Sequence, residues 1–180
     1  MSKRIPVGVG SKPDATLYTN LSVLVLEDSP HFSGLVCGIL KSFGVATIYT
    51  ARDGEDALFI LANHRVHLAI VDDLEPPLDG LTVVRTIRTA VAELPNELPI
   101  IFTTEHPSKA IIVAARDSGV TEVLSKPFSA TQLMARIATV IRKPRPLVRS
   151  EDFVGPDRRR RIKETAEEKR RTARALPATP

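Results

Sequence analysis

The chain has a single cysteine, Cys37, in 180 residues, so no disulfide can close within it and no thiolate cluster for zinc can form. No apolar run is long enough to cross a bilayer. The first 20 residues, MSKRIPVGVGSKPDATLYTN, also lack the apolar stretch of a secretory signal. These absences lead to the expectation of a soluble, cytoplasmic protein. Aromatic residues make up only 4% of the chain. None interleaves with the arginines near the C-terminus, and no helix-turn-helix pattern accompanies them, so a surface that reads DNA sequence is not expected. An overall charge excess is missing from most of the chain as well. From Pro144 onward 11 Lys+Arg face 6 Asp+Glu, so the basic excess behind the net charge of +4 lies in the tail.

With 43% hydrophobic residues the chain can bury one good core with extensions. Residues 1–20 mix Gly, Ser, Pro and Lys without periodicity and read as a flexible leader. From Leu21 short apolar runs alternate with helical patterns, in five pairs: LSVLVL, PHFSGLVCGILKSFG, VATIYT, GEDALFILANH, HLAIV, GLTVVRTIRTA, PIIFTT, SKAIIVAARDSG, TEVLS and ATQLMARIATVIRK. This order predicts an α/β domain over 21–143, with a parallel sheet covered by helices on both faces. Phe32, Leu35, Val36, Ile39, Leu40 and Phe43 mark one stripe of the first helix, with Ser29 as its cap and Pro30 as its first residue. Cys37, off that stripe, reads as a small packed residue. Ser129 and Gln132 form a capping-box pattern before the last helix. Residues 144–180 read as a proline-containing linker and a basic tail, partly disordered or helical, with too few apolar residues for a core.

In a doubly wound sheet, functional groups gather at the carboxyl ends of the strands. Glu27 and Asp28 end the first predicted strand and Asp72 the third. Carboxylates brought together this way repel unless a hard cation lies between them, and Mg²⁺ suits such oxygen donors. The fourth strand ends in the hydroxyls of Thr103 and Thr104, and the fifth in the cation of Lys126. Together these groups suit a phosphorylated carboxylate.

The motifs LVLEDSP, AIVDDLEPPLDG, PIIFTTE and LSKPF, in this order and spacing, make the segment from about Leu21 to Lys143 resemble the receiver domain of two-component response regulators. The resemblance implies a flavodoxin-like (βα)5 three-layer sandwich, with a five-stranded parallel sheet of order 2-1-3-4-5. It also implies transfer of a phosphoryl group from a histidine kinase or a histidine phosphotransfer protein to an aspartate, with Mg²⁺ or Mn²⁺. By position the acceptor is Asp72, four residues before Pro76 and eight before Gly80, with Asp73 as its neighbour. Glu27, Asp28, Asp72 and the backbone carbonyl of Leu74 are the implied metal ligands. Thr104 is the implied switch hydroxyl, with Thr103 as runner-up, and Lys126 is the phosphate-contacting cation. Pro127 follows Lys126 where the family carries a cis peptide that aims the lysine inward. A receiver of this kind is a phosphoacceptor with weak autophosphatase activity rather than an enzyme acting on a separate substrate.

Val123 departs from the family's pattern, which has Tyr or Phe three residues before the lysine, so the usual aromatic switch is in doubt. Glu75 and Asp73 add charge beside the acceptor. His31, His64, His67 and His106 show no ligand spacing and read as surface or capping residues. The leading expectation is a stand-alone receiver that signals to a downstream protein through its fourth helix, fifth strand and fifth helix, with a phosphorylation-dependent homodimer compatible with it. The alternative is a nucleic-acid-associated regulator in which the receiver gates the run Arg158, Arg159, Arg160 and Arg161. A receiver-like scaffold that has lost phosphorylation is disfavoured by the retained acids, Thr104 and Lys126.

Overall fold

The computed structural model describes residues 18–74, 79–90, 94–150 and 153–157. Five strands alternate with five helices: β1 Ser22–Leu26, α1 Pro30–Ser42, β2 Thr47–Ala51, α2 Gly54–Asn63, β3 Leu68–Asp72, α3 Gly80–Thr89, β4 Ile100–Thr104, α4 Lys109–Asp117, β5 Glu122–Ser125 and α5 Ala130–Arg142. The strands form one parallel sheet in the order β2-β1-β3-β4-β5. This is the flavodoxin-like topology implied by the motifs.

The three central strands are buried at every residue, as expected for strands covered on both faces, whereas the edge strands β2 and β5 are partly exposed. Side chains alternate between faces, and this period of two builds two cores. Leu24, Leu26, Ala69, Val71, Ile100 and Phe102 pack with residues of α2, α3 and α4. Val23, Val25, Leu68, Ile70, Ile101 and Leu124 pack on the opposite face with residues of α1 and α5. Each fully buried large side chain contributes about 1.5–3 kcal/mol of transfer free energy.

Local signals set the helix starts. The Ser29 hydroxyl accepts from the Phe32 amide at 3.4 Å, with Pro30 at the first helical position. Ser129 and Gln132 form the expected reciprocal capping box. The expected α1 stripe holds at Val36 and Leu40, but Leu35 is 49% exposed. Cys37 packs partly buried against the core instead. Among the described residues no helix is long and apolar enough to cross a membrane.

Ordered contacts among the described residues extend past both expected domain limits. Tyr18, placed by the sequence reading in the leader, is 3% exposed and sets its ring edge-on to Phe43 at 6.4 Å, so the folded domain begins before Leu21. Residues 1–17 lie outside the described residues. At the other end, the segment read as linker forms an antiparallel hairpin, β6 Leu147–Ser150 with β7 Phe153–Pro156. The Asp157 amide closes its base on the Pro146 carbonyl at 2.9 Å. A short hairpin flanked by prolines carries too few apolar residues to stand out in sequence, and it is held by docking rather than by a core of its own.

That docking depends on backbone proximity. Gly119 has φ +91°, and a Cβ there would lie 2.7 Å from the Val154 carbonyl oxygen and 2.9 Å from Arg88 Cγ. Gly155 faces it, with its own added Cβ 2.7 Å from Gly119 Cα. The buried Arg88 donates from Nε to the Gly119 carbonyl at 2.9 Å and from Nη1 to the Asn96 carbonyl at 2.7 Å. Its burial lowers its pKa to about 10. Arg145 anchors the start of the hairpin to β5, donating to Glu122 at 2.6 Å.

Two glycines should therefore respond oppositely to alanine. Gly119→Ala is expected to destabilise by more than about 1 kcal/mol, because positive φ and the close approach both forbid a Cβ. Exposed Gly38 of α1 has nothing within 4 Å of an added Cβ, and Gly38→Ala should stabilise by about 0.5–1 kcal/mol. Urea unfolding of the two variants measures both, and a neutral Gly119→Ala would contradict the docked hairpin.

Candidate functional site

The alternation that sorts the core also sorts the site. Val25, Ile70, Ile101 and Leu124 all lie in the core shared with α1 and α5. Two residues after each, at the carboxyl ends of β1, β3, β4 and β5, come Glu27, Asp72, Thr103 and Lys126. These four polar groups fall on one face of four adjacent strands, above a continuous apolar floor.

Lys126 joins them. Its Nζ lies 2.7 Å from Asp72 Oδ1 and 2.8 Å from Glu27 Oε2, so one ammonium bridges acids from two strands. The lysine side chain is 7% exposed and that of Glu27 is 4% exposed. The Phe32 ring covers the ammonium, with Nζ 4.0 Å from its centroid, and Phe128 braces that ring edge-on at 5.4 Å. The Lys126–Pro127 peptide is cis, and the Lys126 amide donates to the Thr104 carbonyl at 2.8 Å.

The electrostatics follow from burial and pairing. Burial raises the Glu27 pKa and the Asp72 charge adds to this, against the opposing effect of Lys126 and of the Ser29 N–H, which donates to Glu27 Oε1 at 3.1 Å. For Lys126, burial alone would lower the pKa. The hydrogen bonds and charges of Asp72 and Glu27 outweigh it and raise the pKa above its ordinary value.

Glu27, Asp28 and Asp72 each offer a carboxylate oxygen, and these oxygens lie within 4.8 Å of one another. Asp28 is exposed, so the cluster opens to solvent on one side. Three carboxylates against one ammonium leave two uncompensated negative charges among hard oxygen donors. The residues present therefore fit a divalent cation such as Mg²⁺. Leu74 lies two residues past Asp72 with its side chain in the core.

Thr103 and Thr104 part company. In register with Asp72 across β3 and β4, the Thr103 hydroxyl donates to Asp72 Oδ1 at 2.9 Å. Thr104 donates instead to Asp73 Oδ2 at 2.9 Å and accepts from the His106 amide at 3.2 Å. Both pairs are cross-strand neighbours. The period of two carries Asp72 and Thr103 to one face and Asp73 and Thr104 to the other. Motif spacing favours Thr104 with Thr103 as runner-up, and strand register decides which acid each hydroxyl meets. The sequence pattern places Phe32 only on the helix stripe, and nothing in its spacing marks it as a cover for Lys126.

Gly80 lets α3 start directly beneath Asp72. A Cβ at Gly80 would collide with the Asp72 carbonyl oxygen, so only glycine allows the helix to approach the strand end this closely. The helix is capped by Asp79, which accepts from the Thr82 amide at 2.7 Å. Val123 is partly buried against the core. His67 Nδ1 accepts from the Ser22 amide at 3.0 Å and His64 stacks on Tyr49, in keeping with structural histidines. Glu75 and Arg158, Arg159, Arg160 and Arg161 lie outside the described residues.

Comparison with known proteins agrees with this arrangement. Residues 23–138 match the family model of the response regulator receiver domain. The response regulator MprA of Mycobacterium sp. (strain KMS) is 35% identical over 105 residues, covering 58% of this chain and 44% of the relative. MprA of Mycobacterium leprae (strain TN) gives the same values. The chain thus spans less than half the length of these curated relatives. Among solved structures, the chemotaxis protein CheY4 of Vibrio cholerae is 27% identical with a TM-score of 0.62, covering 67% of this chain and 98% of that one. The receiver domain of the sensor histidine kinase PA1611 of Pseudomonas aeruginosa PAO1 has a magnesium ion coordinated in its active site cleft. It is 25% identical with a TM-score of 0.62, covering 68% of this chain and 98% of that one. With its sheet order, its strand-end constellation and most of its length matched, the chain belongs to the response regulator receiver domain family.

Proposed function

We propose that this receiver takes a phosphoryl group from the phosphohistidine of a histidine kinase or histidine phosphotransfer protein onto Asp72 and passes the signal on by protein contact. The observation that carries this reading is the seating of Asp72. Its Oδ1 receives both the Lys126 ammonium and the Thr103 hydroxyl, and its Oδ2 takes no hydrogen bond from the described residues. A carboxylate held by one oxygen presents the other as a fixed nucleophile.

In the transfer, Asp72 Oδ2 forms the new bond to phosphorus while the N–P bond of the phosphohistidine breaks. The imidazole leaves with the electron pair and takes a proton from solvent. Lys126, already against Asp72, faces the negative charge brought by the phosphoryl oxygens. Thr104 supplies a hydroxyl proton to one of those oxygens once the acyl phosphate has formed. Glu27, Asp28, Asp72 and the Leu74 carbonyl would hold Mg²⁺, or Mn²⁺ in its place, which when bound neutralises charge on the transferring group. Later attack of water on phosphorus breaks the acyl O–P bond, releases inorganic phosphate and restores the carboxylate. The magnesium ion in the PA1611 receiver supports the same cation here. A cytoplasmic setting follows from the kinase partner, and a phosphorylation-dependent homodimer is compatible with it.

Incubated with Mg²⁺ and acetyl phosphate, the native protein should gain one phosphoryl group by intact-mass spectrometry, and Asp72→Asn should gain none. Full labelling of that variant would overturn the assignment. The cation has its own test by thermal unfolding. At a hundredfold excess over its Kd, Mg²⁺ should stabilise the native protein by about 2.7 kcal/mol. Asp28→Asn should lose most of that gain, and a native melting temperature indifferent to Mg²⁺ would contradict the site.

A further inference from the structure

A hydroxyl has one proton to donate. At the end of β4 both hydroxyl protons are already committed, that of Thr103 to Asp72 and that of Thr104 to Asp73. The Thr104 bond is charge-assisted, at 2.9 Å, and its oxygen is fixed from the other side by the His106 amide at 3.2 Å. Thr104 is fully buried, so its hydroxyl has no water to fall back on when it leaves Asp73. The Asp73 amide donates to the Thr103 carbonyl at 3.0 Å, which keeps its backbone in the β3–β4 ladder.

We infer that Asp73 is a positioning residue that holds Thr104 in a resting state, competing with the phosphoryl oxygens for the same hydroxyl proton. This rests on the proposed role of Asp72 as acceptor. Phosphorylation then has to draw Thr104 from one carboxylate to another anion on the opposite face of the sheet. The free energy of the Asp73–Thr104 bond is subtracted from the stability of the phosphorylated state. Since Thr104 also holds the His106 amide, its departure releases the loop that leads into α4.

A negative charge beside the acceptor would also repel an anion without any bond, and the two effects separate in a double-mutant cycle. The equilibrium readout is the binding of beryllofluoride with Mg²⁺, a stable mimic of a phosphoryl group on a carboxylate. Asp73→Ala is expected to tighten this binding about fivefold in the native background. In the Thr104→Val background the same substitution should produce little or no change, because the competed proton is gone. An equal gain in both backgrounds overturns the inference and leaves charge as the cause. Asp73→Asn, which keeps an acceptor without the charge, should gain less than Asp73→Ala, and an Asn variant that gains as much again points to charge alone.

A second readout needs no ligand in the variant. In unliganded Asp73→Ala the His106 amide resonance should move toward its position in the beryllofluoride-loaded native protein, and an unmoved resonance overturns the inference. Beryllofluoride binding that persists in Asp72→Asn would overturn the acceptor assignment, and this inference with it. The other outcomes bear on Asp73 alone.

Discussion

The ammonium of Lys126 holds the site together. Two carboxylates from neighbouring strands, both largely withdrawn from water, would repel each other without a compensating charge. A single cation 2.7 Å from one and 2.8 Å from the other removes that conflict, and the Phe32 ring covers the apolar side of the ammonium. The arrangement ties distant parts of the chain to one point. Lys126 needs the β5 register, Phe32 needs α1 to start where it does, and Ser29 makes that start. The same Ser29 caps the helix with its hydroxyl and donates its amide to Glu27. Helix capping and site electrostatics are therefore one local structure.

Much of this was legible in the sequence because the sheet imposes a period of two. Apolar runs that end on a charge at three strand ends, in a βα alternation, place those charges on the rim of a parallel sheet with little freedom left. What escaped was set by contacts with no local period. The sequence puts both Thr103 and Thr104 at the end of β4, but which acid each one meets depends on register between β3 and β4, a tertiary fact. Leu35 fits the helical stripe yet is exposed, because the helix presents Cys37 to the core instead. Tyr18 and the β6–β7 strand pair are held by docking against elements far away in sequence, Phe43 in one case and Gly119 in the other. Composition describes how much a segment can bury by itself, not how closely another segment can approach it.

The sheet divides the site into two chemical layers. On the face shared with α1 and α5, Glu27, Asp72, Thr103 and Lys126 form a cluster joined through the Lys126 ammonium and the Thr103 hydroxyl. On the other face, Asp73 and Thr104 form a separate pair beside the loop before α4. The two pairs thus occupy opposite faces of the same two strand ends.

This division bears on how a signal leaves a receiver whose aromatic position is filled by Val123. A short branched side chain, partly buried against the core, has no large alternative rotamer to offer. The hydrogen-bond path out of the site is nevertheless continuous. Thr104 holds the His106 amide, the His106 carbonyl accepts from the Ser108 amide at 2.7 Å, and the Ser108 hydroxyl caps α4 by accepting from the Ile111 amide at 3.2 Å. Each link is a single bond to backbone at a helix entry, where one lost partner changes the cap. Under the proposed function, movement of Thr104 would reach the first turn of α4, next to the exposed Ile112 and Val113, without a swinging ring. On the inference drawn for Asp73, the carboxylate that fixes Thr104 would set the threshold of that path.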